Sequence, residues 1–124
     1  MSTNAVGSAA KESAASEMVA RAAALVPALA KGAQKTIEAR KLLSESVALL
    51  KQAGLNRILQ PARCGGMELS MHVHLDAVAE VARGCGSTGW CLGVYHAHSW
   101  LLGLFGGKAQ DEVYGANADA IVSA

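Results

Sequence analysis

Apolar and polar positions alternate with helical period along almost the whole chain. From Glu17, apolar side chains fall at Met18, Ala22, Leu25, Val26 and Leu29, the inward stripe of one helix, and the pattern weakens towards Ile37. Pro27 lies inside this stretch and predicts a kink or a fresh helix start, because proline lacks the N–H that a helix interior uses. A second helix is expected from Ser44, whose hydroxyl suits an N-cap. Glu45 sits at its positive end, Val47, Leu49, Leu50 and Ala53 form its apolar face, and Gly54 closes it. Gln60-Pro61-Ala62-Arg63-Cys64-Gly65-Gly66 reads as a loop. A third helix follows Ser70, with Met71, Leu75, Val78, Val81 and Ala82 inward and Asp76, Glu80 and Arg83 outward, and ends at Gly84. A fourth opens at Ser87 or Thr88 and runs to about Phe105. A short amphipathic helix from Ala109 to Tyr114 ends at Gly115. The expected fold class is all-α, a helical bundle. Residues 1–15, small and polar, form a flexible N-terminus, 16–118 the helical domain, and 119–124 the start of a β domain. Ala120-Ile121-Val122-Ser123-Ala124 has the β-branched character of a strand with no partner in the chain, so the expectation is a piece of a larger protein.

Composition narrows the classes. With 11 Lys+Arg against 10 Asp+Glu over 124 residues, the net charge is +1. Phosphate binding needs a clustered basic surplus, so nucleic acid is not an expected partner. Charged residues are 17 % and aromatics only 4 %, while alanine is the commonest residue, which favours helices with faces packed against something else. Cys64, Cys85 and Cys91 have no framework spacing and read as reduced thiols of a cytoplasmic protein without a secretory signal. Gly86 to Gly107 has no Asp, Glu, Lys or Arg, but its glycines and its two histidines disfavour a membrane span. It is expected to be a buried core helix, with Trp90, Tyr95, Trp100 and Phe105 at the centre of what is buried.

Three patterns could carry chemistry. Gly84-Cys85-Gly86-Ser87-Thr88-Gly89 matches G-x-G-x-x-G, but the segment before it has helical period where a dinucleotide site needs a strand, so a helix-to-helix turn is expected. His72/His74 and His96/His98 are two apart. On a helix such pairs point about 200° from one another and cannot share a metal, so none is expected. Spacing alone makes His96 and His98 structural, with a ligand-facing role as the alternative.

The run Cys85-Gly86-Ser87-Thr88-Gly89-Trp90, with His98-Ser99-Trp100, Leu104-Phe105 and Ala109-Gln110-Asp111-Glu112-Val113-Tyr114-Gly115, resembles flavin-dependent monooxygenases built on the acyl-CoA dehydrogenase fold. These are the oxygenase components of two-component aromatic hydroxylases. The resemblance covers about residues 19 to 124. It implies the N-terminal helical domain of that fold, truncated at the first β-strand. It further implies reduced flavin, FMN or FAD, delivered by a separate reductase, and an aromatic substrate hydroxylated with O2 in a site that excludes water. A homo-oligomer is implied for the full-length protein. The family's site histidine falls on His98, a catalytic group suited to a phenol's proton, with Val94, Tyr95, Leu101 and Leu102 as substrate-binding neighbours. Most flavin contacts would lie outside this chain, leaving it inactive alone. Two other classes stay open: an acyl-CoA dehydrogenase fragment, and a non-enzymatic helical interaction module.

Overall fold

The computed structural model describes residues 3–123, and side-chain surroundings from Gly7 onward. Met1, Ser2 and Ala124, which belong to the expected first and last segments, lie outside the described residues. Five α-helices follow one another: α1 Thr3–Ala39, α2 Ser44–Gln52, α3 Met71–Gly84, α4 Gly86–Leu102 and α5 Gly107–Tyr114, with single 3-10 turns at Leu55–Arg57 and Ala62–Cys64. No strand occurs among the described residues, in keeping with the all-α expectation.

α1 packs along α3, and α3 along α4. The core gathers Met18, Ala22 and Leu29 from α1, Leu50 from α2, Leu55, Ile58 and Leu59 from the following turn, and Val73, Ala77 and Val81 from α3. Leu69, Cys85 and Leu92 complete it. α1 runs unbroken through Pro27. Its packed stripe continues on both sides of the proline, and tertiary contact outweighs one lost backbone bond. The helix starts at Thr3, so no change of backbone marks residue 15, although the side chains of residues 7–13 are all exposed.

The helix ends follow the expected punctuation with small shifts. Gly54, at φ 75°, turns the chain after α2. Ser70 stands at the N-cap of α3, whereas Ser44 is the first residue of α2 and Leu43 the cap. Neither serine makes a side-chain capping bond. Two expectations need correction. The buried stripe of α3 is Val73, Ala77 and Val81, while Met71 and Leu75 are exposed. α3 lies between two helices, and close approach selects its smaller side chains. The fourth helix stops at Leu102, short of Phe105. Residues 120–123, expected to begin a strand, are irregular.

The glycine-rich junction has a packing explanation. Gly84 ends α3 and Gly86 begins α4, so no strand precedes the fingerprint. A Cβ on Gly84 would lie 2.7 Å from the Val26 carbonyl oxygen, and one on Gly89 would lie 2.6 Å from the Ala82 Cβ. Both glycines are there to let helices touch.

Candidate functional site

The residues singled out from the sequence concentrate on α4, which has two unlike faces. The inward face carries Thr88, Gly89, Leu92, His96, Ser99 and Leu102, all buried. Its polar groups are largely consumed by the fold. Tyr114 Oη donates to Ser99 Oγ at 3.1 Å. Gln110 Nε2 donates to the carbonyls of Gly103 at 3.2 Å and Phe105 at 2.9 Å, closing the end of α4. The Gln110 Oε1 accepts from Arg63 at 2.9 Å, and Arg63 also pairs with Asp111 at 3.0 Å. Gln110, Asp111 and Tyr114 of the motif that resembles the hydroxylases therefore fasten α5 and the Arg63 loop to α4.

The outward face is apolar and open. Trp90 is 76 % exposed, and Trp100, Leu101, Leu104 and Phe105 are exposed too. This corrects the expectation that α4 is a buried core helix with its aromatics inside. An all-apolar helix can be buried on one side only, and here the described residues supply one side.

His98 lies at the edge of this outward face, half-buried. Its Nδ1–H donates to the Val94 carbonyl at 2.8 Å. A carbonyl only accepts, so this bond puts the proton on Nδ1 and leaves Nε2 as the free nitrogen. Val94 precedes His98 by one turn and Leu101 and Leu102 follow it by one, as the spacing requires. Val94 and Tyr95 are half-buried, Leu101 is exposed and Leu102 is buried. Burial, with help from the nearby Cys91, pushes the Tyr95 phenol up. A groove of about 600 Å³ lies where α1 ends and α4 begins, lined by Ile37, Arg40, Lys41, Trp90 and Cys91 among others.

His96 has a different environment. It is fully buried, with Nε2 2.6 Å from the Leu55 carbonyl oxygen and Nδ1 2.8 Å from Nδ1 of His74. The sequence reading left this pair unconnected, since the two histidines sit on different helices. The available signal was helical: His96 shares a stripe with Leu92 and Ser99. Of the other i,i+2 pair, His72 is exposed and faces Asp76 at 3.4 Å. All three cysteines are free, as expected. Cys85 stands at the N-cap of α4. Burial works to raise its thiol, but the hydroxyls and N–H groups of Thr88, Ser87 and Thr36 around it outweigh this and set it below its ordinary value.

Comparison with known proteins agrees with this architecture. The family model for the N-terminal domain of acyl-CoA dehydrogenases matches residues 9–117, and the chain belongs to that family. Within it, the chain is 37 % identical over 100 residues to the oxygenase subunit HsaA of a flavin-dependent monooxygenase from Rhodococcus jostii (strain RHA1), covering 81 % of this chain and 26 % of that protein. It is 31 % identical over 99 residues to the oxygenase component of p-hydroxyphenylacetate 3-hydroxylase from Acinetobacter baumannii, covering 80 % of this chain and 24 % of the relative. The crystal structure of 3-HSA hydroxylase from Rhodococcus sp. RHA1 superposes with a TM-score of 0.80 at 37 % identity, covering 83 % of this chain and 27 % of that one. The chain thus spans about a quarter of the length of these relatives.

Proposed function

We propose that this chain forms the N-terminal helical part of an oxygenase that hydroxylates a phenolic ring with reduced flavin and O2, and that His98 is its catalytic histidine. The observation that carries this reading is the Nδ1–H bond from His98 to the Val94 carbonyl, which in the neutral ring leaves Nε2 as the acceptor on an otherwise apolar face. A phenol hydroxyl meeting that nitrogen can give up its proton there, which raises the electron density of the ring for attack. Val94, Tyr95, Leu101 and Leu102 would hold the ring, and an apolar wall with no charged residue excludes water from it.

The outward face of α4 fits a flavin as one wall of a pocket: it is apolar and open over Trp90, Trp100 and Leu101, with the exposed Phe105 just beyond the helix. Reduced flavin, FMN or FAD, supplies the electrons that activate oxygen. In this chain's share of the site, α4 contributes exclusion of water and His98 contributes the proton acceptor. A flavin reductase partner, a homo-oligomeric full-length protein and a cytoplasmic location belong to the same reading. So does a chain organised as residues 1–15 leading into a helical domain over 16–118, with 119–124 entering a β domain. No helix among the described residues is long and apolar enough to cross a membrane.

The test uses the full-length protein that carries this domain, supplied with reduced flavin, O2 and simple phenols. His98→Asn should lower the rate of ring hydroxylation by about 10²-fold or more while the fold is retained. Dehydrogenation of an acyl-CoA thioester without oxygen insertion would replace this reading with that of a dehydrogenase.

A further inference from the structure

The contact between His74 and His96 is a directional chain of hydrogen bonds. The two Nδ1 atoms are 2.8 Å apart, and the rings meet edge to face, with centroids 5.1 Å apart and planes at 67°. Because the Leu55 carbonyl can only accept, His96 carries its proton on Nε2. Its Nδ1 is then a lone pair, and His74 must be the donor through Nδ1–H. One chain of bonds therefore joins α3, α4 and the Leu55–Arg57 turn, at a point where His96 is fully buried.

Several charged side chains of the elements packed here are engaged elsewhere, and Glu12 of α1 lies in a groove with His72 and Val73. On α3, Asp76 faces His72, and Glu80 holds Arg83. On α1, Glu17 holds Arg21. On the turn, Arg57 pairs with Asp119. α4 contributes no Asp, Glu, Lys or Arg, and its other histidine, His98, is bonded to Val94. Among the described residues no carboxylate is bonded to His74 or His96.

We propose that His74 and His96 form an acid-sensitive latch, which ties α3 and α4 to the Leu55–Arg57 turn while His96 is neutral and releases the turn when both rings are protonated. A first proton adds to Nε2 of His74, whose Nδ1–H still donates to His96, so the contact survives it. A second proton sets N–H against N–H and cation against cation, and the contact opens. Burial holds His96 down to about 4; the Leu55 bond opposes this and the neighbouring His74 adds to it. Burial lowers His74 as well. The turn that would be released leads directly into Arg57 and Gln60, the two side chains that grip residues 118 and 119.

The experiment is nitrogen-15 NMR of the histidine rings in the full 124-residue chain, with amide hydrogen exchange between pH 7 and pH 4.5. At pH 7 the expected tautomers are Nδ1–H for His74 and Nε2–H for His96. At pH 4.5, after correction for intrinsic exchange, the amides of residues 55–58 should exchange about tenfold faster than at pH 7, while those around Ala22 in α1 change little. His96→Leu should abolish this difference. Should that variant fail to fold, the ring signals of the unaltered protein decide, because the latch requires the titration of His96 and the opening of residues 55–58 to share one midpoint. Nε2–H tautomers on both rings, protection that does not depend on pH, or opening that proceeds unchanged in His96→Leu would each overturn the latch.

Discussion

The two faces of α4 make a controlled comparison, since they share one backbone and one stretch of sequence. Inward, the polar groups of His96 and Ser99 find partners in neighbouring elements, and glycine replaces larger residues where helices touch. Outward, the side chains are larger and mostly apolar, and they are bare. Two histidines two residues apart therefore serve opposite ends. His96 has both ring nitrogens engaged, and its chemistry is consumed by the fold. His98 has one nitrogen tied to its own helix, and the other is free. A site residue is distinguished here less by its type than by the bonding capacity it has left over.

Breaking the inward face should have the largest effect. Gly89→Val places side-chain atoms where Ala82 already sits and should destabilise the chain by about 3 kcal/mol, read as a lower denaturant midpoint with an unchanged slope. Acid should act on the same face. His96 is held down to about 4 in the folded state against about 6.5 unfolded, so the unfolded chain binds the proton more readily between these values. The stability this residue contributes is present above about pH 6.5 and lost as pH falls towards 4, by about 3 kcal/mol in all. Thermal melts across that range check it, and a flat profile would refute it. Tyr114→Phe removes the donor to Ser99 and should cost about 1 kcal/mol in the same unfolding assay. On the outward face, Leu101→Glu should leave stability within about 0.5 kcal/mol. It should nonetheless raise the monomer fraction of the chain in sedimentation, because it puts a charge into the exposed apolar patch. If Leu101→Glu unfolds the chain as Gly89→Val does, the distinction between the faces is wrong.

Much of this was legible from periodicity. Met18, Ala22 and Leu29 were placed correctly because a long helix repeats its pattern, and Gly54, Ser70 and Gly84 marked their boundaries. The G-x-G-x-x-G run was recognisable as a helix junction from the polar positions before it. What failed depended on the number of neighbours. α3 is flanked by two helices, and its hydrophobicity alone does not say that Val73 and Ala77 go in while Met71 and Leu75 stay out. α4 is apolar all round, so its pattern carries no information about which side is covered, and the aromatics were assigned to the wrong one. The His74–His96 bond depends on the relative roll of two helices, which no spacing within either records.

The ties at the far end of the molecule have a mechanical meaning. Arg57 holds Asp119 at 2.8 Å, and Gln60 Nε2 donates to the Ala118 carbonyl at 2.8 Å. Gly66 closes against Gln60, where a Cβ would come within 2.1 Å of its backbone oxygen. Tension applied beyond residue 119 meets these two clamps before it reaches α5. It is passed to the 55–66 segment, whose Leu55, Ile58 and Leu59 lie in the core, so the load bypasses the last helix. The clamps must yield before α5 can be peeled from its place, which makes them the first elements to give way under force.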